Sequence, residues 1–437
     1  MHRTRRKLLG MALLGTAAPL LAAPRGAGPA ASAFAAASAA RLDAELGAIV
    51  RDPACELASL AVLAIRNGDV GYAAGFGRRI IGRDGMPDQP AGPDTLFRIA
   101  SVSKLVTTLG LMRLVEDGKV ALDADVSDSL GFTLRNPHFP AQPITLRHLL
   151  THTSSLRDEG GYSWGAGVAL KDVLVPGDAR TYAANAGPGA YFTYCNLGWG
   201  VIGTAMEGVT GERFDRLMRR LLLDPLGLQA GYHPAGLPPA ALARLATLYR
   251  KRTVDTEAWD PAGPWIAQAD DVANTPPAPV DGYVIGTNAT PFSPTGGLRI
   301  GARDLGVIMR MLMNGGQGLL KPATLALMFG RRWTYDGHNG DTADGLFHAW
   351  GLGNEQFPDA PGTRLVEGGG FPAVGHLGDA YGLLSVFALD LKRRNGMIVL
   401  IGGTSTDPFA PANKGRYSSL ARCQERILTA LYKHAIA

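Results

Sequence analysis

The chain has 437 residues, of which 46% are hydrophobic and 19% charged. That balance excludes a disordered chain, and the length suffices for one large or two modest domains with a sizeable core. The formal charge of +5 comes from the N-terminus: Arg3, Arg5, Arg6, Lys7 and Arg25 lie within residues 1–33, where there is no Asp or Glu, and the remainder carries 38 basic against 38 acidic residues. A near-neutral remainder offers no electrostatic case for nucleic acid or an anionic membrane as partner.

Residues 1–33 read as a signal peptide. A basic start, MHRTRRK, precedes an apolar run from Leu8 to Ala23, and small-residue cleavage sites follow at Leu21-Ala22-Ala23 and Ala31-Ser32-Ala33. Arg5-Arg6 resembles a twin-arginine signal; an ordinary secretory signal with extra arginines is the alternative. The run is shorter than the ~20 residues of a membrane span, so an exported, periplasmic or secreted protein with no stable span after signal removal is expected. Alanine-rich residues 34–40 read as a linker, and 41–437 as a single domain.

Arg41–Arg51 has helical spacing, with Leu42, Leu46 and Ile49 on one side. Ala58–Arg66 is an apolar strand run, and Asn67-Gly68 is a two-residue hairpin signal before a return strand over 70–77. Helical runs follow at 104–116, 146–150, 200–207 and 214–222, and residues 250–295 show no periodicity and read as a long wrapped loop. Strand runs return at 383–391 and 397–402, around a turn expected to include Asn395-Gly396, and a closing helix is expected over 418–434. The pattern predicts an α+β fold. One antiparallel sheet is built from both chain ends (about 41–104 and 290–437), with helices packed on it and an all-helical region inserted over about 105–289.

Three segments carry chemistry. In Ser101-Val102-Ser103-Lys104 the spacing of three puts Ser101 and Lys104 one turn apart on one helix face. A serine hydroxyl needs a base, and a buried lysine at a helix N-terminus has the depressed pKa that role requires. The Ser101 backbone N–H can also face a developing oxyanion. Tyr194-Cys195-Asn196 opens a second apolar helix; Tyr194 can act as phenolate or relay, and Asn196 can bind a substrate amide or steady Lys104. Gly375-His376-Leu377-Gly378-Asp379 lies on a strand before the last hairpin; His376 can offer a proton or a positive edge, and Gly378 lets a substrate backbone approach.

Ser-x-x-Lys, then Tyr-x-Asn, then His-x-Gly, in that order, resembles the serine β-lactamase and penicillin-binding-protein superfamily, and the tyrosine resembles its class C branch. Leu146–Ser154 (LRHLLTHTS) and Ser293–Leu298 (SPTGGL) are similar to family segments. The resemblance implies Ser101 as acylated nucleophile, Lys104 as base and Tyr194 as general acid/base. It implies Asn196 as substrate-amide contact, His376 at the third-motif position, and the backbone N–H groups of Ser101 and Asp379 as oxyanion hole. No cofactor and no metal are implied, only a small-molecule or short peptide substrate; the oligomeric state is left open.

His376 replaces the lysine of class C β-lactamases and Leu377 a hydroxyl residue, which weakens recognition of a β-lactam carboxylate by roughly 1–3 kcal/mol. A carboxylesterase or D-peptidase/amidase acting on small acyl or D-amino-acid-containing substrates therefore ranks above a class C-like β-lactamase. A non-catalytic or covalent β-lactam-binding sensor is the reading from another class. Cys195 replaces a small serine and reads as packing. The implied fold also brings Cys55 and Cys423 together; the alternatives are a disulfide in an oxidising compartment or three free buried thiols.

Overall fold

The computed structural model describes residues 29–83 and 85–437; the basic start and apolar run of the expected leader lie outside the described residues. The helices are α1 (Pro29–Val50), α2 (Val102–Glu116), α3 (Ser127–Leu130), α4 (Leu146–Leu150), α5 (Leu170–Leu174), α6 (Leu197–Thr210), α7 (Phe214–Met218), α8 (Pro239–Leu242), α9 (Ala302–Met313), α10 (Pro322–Phe329) and α11 (Arg422–Leu431). The strands are β1 (Ser59–Arg66), β2 (Asp69–Ile80), β3 (Gln89–Pro90), β4 (Phe97–Arg98), β5 (Leu248–Lys251), β6 (Trp265–Ala269), β7 (Arg299–Ile300), β8 (Trp333–Thr334), β9 (Ala349–Trp350), β10 (Glu355–Phe357), β11 (Ala373–Ala380), β12 (Leu383–Asp390), β13 (Asn395–Ile401) and β14 (Gly403–Thr404). The expected linker 34–40 is helical within α1, as an alanine-rich stretch favours.

Nine strands form one sheet in the order β3-β2-β1-β13-β12-β11-β10-β9-β8, every neighbouring pair antiparallel. Strands from the two chain ends meet at its centre, where Val62 of β1 and Val386 of β12 both face Val399 of β13. Both faces are covered, which is why these strands read as continuous apolar runs without alternation. Leu60, Val62 and Ala64 point to one core with Leu42 and Leu46 of α1 and Ile427 and Leu431 of α11. Leu63 and Ile65 point to the other, with Ile308 and Leu312 of α9 and the helical region.

The β1–β2 turn is as expected: Asn67 and Gly68 take φ of 53° and 90°. The second expected turn is displaced. Asn395 pairs with Asp390 at the start of β13, and the reversal uses Leu391–Arg394, with Arg394 at φ 55°. Gly396 serves packing instead, since a Cβ there would lie 2.1 Å from Met309 Sδ on α9. The region expected to be a loop over 250–295 contributes β6 and the end of β5. These pair antiparallel with each other, and β5 pairs parallel with β14. So the inserted region is joined by a small sheet as well as helices. The β6 residues are half-buried without alternation, and the third strand, β14, comes from the far end of the chain, so the local pattern announced neither.

Helix α2 runs between the sheet and the helical region and is buried from Val102 through Met112. A helix enclosed on all sides shows no amphipathic stripe, and this enclosure desolvates Lys104.

Candidate active site

Ser101 stands at the N-cap of α2. The residue before it, Ala100, is held at φ 47°, a left-handed conformation disfavoured for a residue with a Cβ. Two contacts from the sheet hold this turn. Ser385 Oγ of β12 donates to the Ile99 carbonyl at 2.8 Å. Gly378 of β11 sits so close that a Cβ would lie 2.3 Å from Ser385 Oγ, 2.7 Å from Ile99 O and 3.0 Å from Ser101 N. Here Gly378 lets β11 press against the nucleophile turn, a packing reason beside the expected substrate approach. Strand β10 pairs with β11 over residues 373–375, so the β11 edge beyond Gly375 is left open by β10. The Ser101 N–H has no acceptor among the described residues.

Lys104 is fully buried, with Nζ 2.8 Å from Ser101 Oγ, 2.8 Å from Asn196 Oδ1 and 3.0 Å from the Thr295 carbonyl oxygen. Burial drives its pKa down to about 7, against the opposing pull of Asp158 and Cys195. A neutral amine has two N–H groups; Asn196 and Thr295 accept both, and the remaining lone pair faces the Ser101 hydroxyl. Tyr194 lies 4.9 Å from Nζ, ring centroid to nitrogen, and its hydroxyl neighbours Ser101. Burial pushes its phenol well above the usual value. Of the two roles open to Tyr194, this environment favours the neutral phenol and hence the relay.

The Tyr194 ring is sandwiched between Phe347 at 5.1 Å and His152 at 4.4 Å. His152 belongs to the LRHLLTHTS segment and takes φ 56°. Its Nδ1 accepts from the Cys195 N–H at 3.0 Å, and its carbonyl accepts from the Thr193 N–H at 2.9 Å. That segment therefore fixes the approach of the second motif to α2. Thr295, in the SPTGGL segment, likewise supplies one Lys104 acceptor and donates through Oγ1 to Asn196 Oδ1 at 2.9 Å.

Asn196 has both ends of its amide occupied inside the protein. Nδ2 donates to Asp158 Oδ2 at 2.8 Å, while Oδ1 receives Lys104 and Thr295. The geometry thus gives Asn196 a steadying role, and the second N–H of Nδ2, with no acceptor among the described residues, leaves a donor at the cleft that Asn196 lines. Asp158, which the motif reading missed, also accepts from the N–H groups of Asn196 and Leu197, both at 2.9 Å. A lone aspartate in a loop carries no periodicity or motif spacing that singles it out. The buried Cys195 thiol contacts Asp158 Oδ1 at 3.4 Å, and burial raises its pKa, which makes it an inert packing residue.

His376 differs from expectation. It is 1% exposed, its pKa is lowered to about 3 by burial and by the nearby Lys104, and Nδ1 lies 2.6 Å from the Leu377 carbonyl oxygen. That bond requires the proton on Nδ1, so Nε2 is a bare acceptor. At neutral pH the residue therefore supplies neither a positive edge nor a cation for a carboxylate.

Ser101, Tyr194, Asn196 and Asp379 line a cavity of about 790 Å³ between the sheet and the helical region. Among the described residues no group of three or more His, Cys, Asp or Glu is placed to hold a metal ion, and no helix is long and apolar enough to cross a membrane.

A family model described as Beta-lactamase matches residues 39–421. The chain belongs to the Beta-lactamase family. Among relatives, Esterase EstB of Burkholderia gladioli is 34% identical over 212 residues, 45% of this chain and 51% of that protein. Penicillin-binding protein 4 of Amycolatopsis lactamdurans is 31% identical over 150 residues, 34% of this chain and 38% of that protein. The matched stretches thus span about half or less of these relatives. The fold matches the D-amino acid amidase of Ochrobactrum anthropi SV3 with a TM-score of 0.59 at 20% identity, over 90% of this chain and 99% of that one. Family membership agrees with the resemblance carried by the three motifs, and the α+β architecture agrees with the fold it implied.

Proposed function

We propose that this protein is a serine hydrolase acting through an acyl-enzyme on Ser101. The observation that carries the proposal is the fully buried Lys104 Nζ, 2.8 Å from Ser101 Oγ and held there by Asn196 Oδ1 and the Thr295 carbonyl. Lys104 takes the hydroxyl proton as Ser101 Oγ attacks a substrate carbonyl. The negative oxygen is held by the backbone N–H groups of Ser101 and Asp379. Tyr194 passes the proton to the leaving oxygen or nitrogen, and the same pair then activates the water that releases the acyl group.

Esters or amides of small acyl or D-amino-acid-containing acids are the substrates the site suits. A neutral His376 and an apolar Leu377 supply no charge for a β-lactam carboxylate, which ranks this reading above β-lactamase activity. The esterase and penicillin-binding relatives fit the same class of chemistry. We propose further that the basic, acid-free leader exports the protein, which cell fractionation would test.

Intact-mass spectrometry with a fluorophosphonate and with a penicillin is the test. A fluorophosphonate adduct that disappears in Ser101→Ala is expected; absence of any adduct on folded protein would overturn the proposal. Rapid penicillin turnover would move the substrate to β-lactams. A persistent penicillin adduct would indicate peptidase or sensor behaviour.

A further inference from the structure

The 790 Å³ cleft adjoins a second cavity of about 580 Å³, and the two share Arg98, His233, Ala278, Pro291, Ser293 and Tyr381 in their walls. Charge in the second cavity is balanced at two places. Arg299 holds Asp270 through Nε at 3.1 Å and Nη2 at 2.7 Å, and Arg83 holds Asp271 at 2.6 Å. Arg98 is the exception. It stands on β4 directly opposite Arg299 of β7, an unfavourable pairing of like charges.

Arg98 Nε donates to the Gly296 carbonyl at 3.2 Å, and the guanidinium carbon sits 4.7 Å from the centre of the Tyr381 ring. Its Nη1 and Nη2 groups meet no carboxylate or carbonyl among the described residues, and the cleft acids Asp158, Glu159 and Asp379 form no ion pair with it. The residue is part-exposed and neither Nη atom is sealed from solvent, so these N–H groups open on the two cavities that Arg98 lines. A guanidinium keeps its proton even where burial and a neighbouring Arg299 oppose it, so what this one lacks is a counter-charge.

Tyr381 marks the same place. Strands β11 and β12 close on the pair Ala380 and Leu383, which leaves Tyr381 and Gly382 as a two-residue turn with φ of 57° and 85°. Asn or Gly is the ordinary first residue of such a turn, and a bulky side chain there is strained. The Tyr381 side chain is 43% exposed, so burial of the ring does not account for the strain.

We propose that Arg98, backed by the Tyr381 ring, is the subsite for a substrate carboxylate, received by the fork of Nη1 and Nη2. Tyr381 lies just past the end of β11, three residues beyond the Gly378 that presses on the nucleophile turn, hence roughly 10 Å along the strand at ~3.3 Å per residue. The substrate is therefore an ester or amide in which one group flanking the scissile carbonyl is an extended chain ending in a carboxylate. His376 supplies no cation; Arg98 supplies one past the end of the same strand. The inference rests on the hydrolase reading above and names its substrate class.

Two ester series test it. One joins naphthol to the six-, eight- or ten-carbon dicarboxylic acids as monoesters, against simple carboxylic acids of the same lengths. The other joins naphthoate to ω-hydroxy acids of those lengths, against the corresponding alcohols. In one series kcat/KM is expected to favour the carboxylate over its neutral counterpart by about tenfold at the best length. In Arg98→Gln the ratio falls to about one, and Arg98→Lys, a point charge without the fork, retains part of it. Tyr381→Asn suits the turn and keeps the site testable should Arg98→Gln fail to fold; there the ratio falls because the guanidinium loses its platform. A purely structural Arg98 would slow both members of a pair alike and leave the ratio unmoved. A carboxylate preference absent from both wild-type series, or unaltered in the variants that fold, would overturn the subsite. Failure of the hydrolase reading is separately visible as absent fluorophosphonate labelling of wild-type Ser101.

Discussion

Asp158 grips Asn196 at two points, accepting from its backbone N–H at 2.9 Å and from its Nδ2 at 2.8 Å. The second bond fixes which end of the amide faces Lys104. An amide free to turn could present NH₂ to the lysine, which would remove an acceptor from the base. Asp158→Asn should therefore lower kcat by about 10²-fold, the scale expected when a reacting group is misplaced by an ångström. A change in the pH–rate profile accompanying the loss separates a positioning role from destabilisation. An unchanged kcat would show that Asn196 is oriented without Asp158.

The Lys104 environment sets a pH dependence with a definite sign. The base is the neutral amine, with a pKa of about 7, so kcat/KM should rise as pH increases through about 7. His376, lowered to about 3, should add no limb between pH 5 and 9. A profile flat from pH 5 to 9 would contradict Lys104 as the titrating base.

The same burial affects stability. A lysine whose folded-state pKa is depressed binds fewer protons folded than unfolded, so stability rises with pH from about 7 towards its unfolded value near 10.5. Below about pH 7 the buried charge is fully disfavoured. Lys104→Met should thus abolish activity yet raise the melting temperature by about 2–4 °C near pH 6, with the gain shrinking towards pH 10. Calorimetry at the two pH values checks it.

Gly378→Ala places a methyl group within 2.3 Å of Ser385 Oγ and 2.7 Å of Ile99 O. Moving β11 away disturbs the strained turn before Ser101. We expect a loss of about 1–3 kcal/mol in stability, the range for overpacking, together with reduced fluorophosphonate labelling of Ser101. Urea denaturation and labelling rate measure the two parts.

The cysteines divide by environment. The structure places the Cys55 and Cys423 side chains together, both as free thiols, and the Cys423 contact draws Cys55 down to about 7. Cys195 is buried and raised. In native reduced protein Cys55 should react first with a thiol reagent, and Cys195 only after denaturation. Mild oxidation should remove Cys55 and Cys423 together. Prompt labelling of Cys195 in native protein would contradict its packing role.

Much of the architecture was legible from local pattern. Asn67-Gly68 dictates a hairpin because both residues tolerate positive φ, and Ala58–Arg66 has the apolar density of a strand covered on both faces. The Ser101–Lys104 spacing puts both side chains on one helical face in any fold that keeps α2. Asn395-Gly396 misled because it carries the same turn chemistry, while α9 lies against Gly396 and claims the missing side chain for packing.

What the sequence by itself determined is the set of groups able to react and their order along the chain: Ser101 with Lys104, Tyr194 with Asn196, His376 with Gly378. Tertiary structure decided their protonation states and partners. Lys104 is a base because α2 is enclosed on all sides, His376 is neutral because it is buried beside Lys104, and Asn196 turns its amide oxygen to Lys104 because Asp158 arrives from a loop. The physical reason is the same in each case: residue type and spacing are local, whereas desolvation and hydrogen-bond partnership depend on segments far apart in the chain.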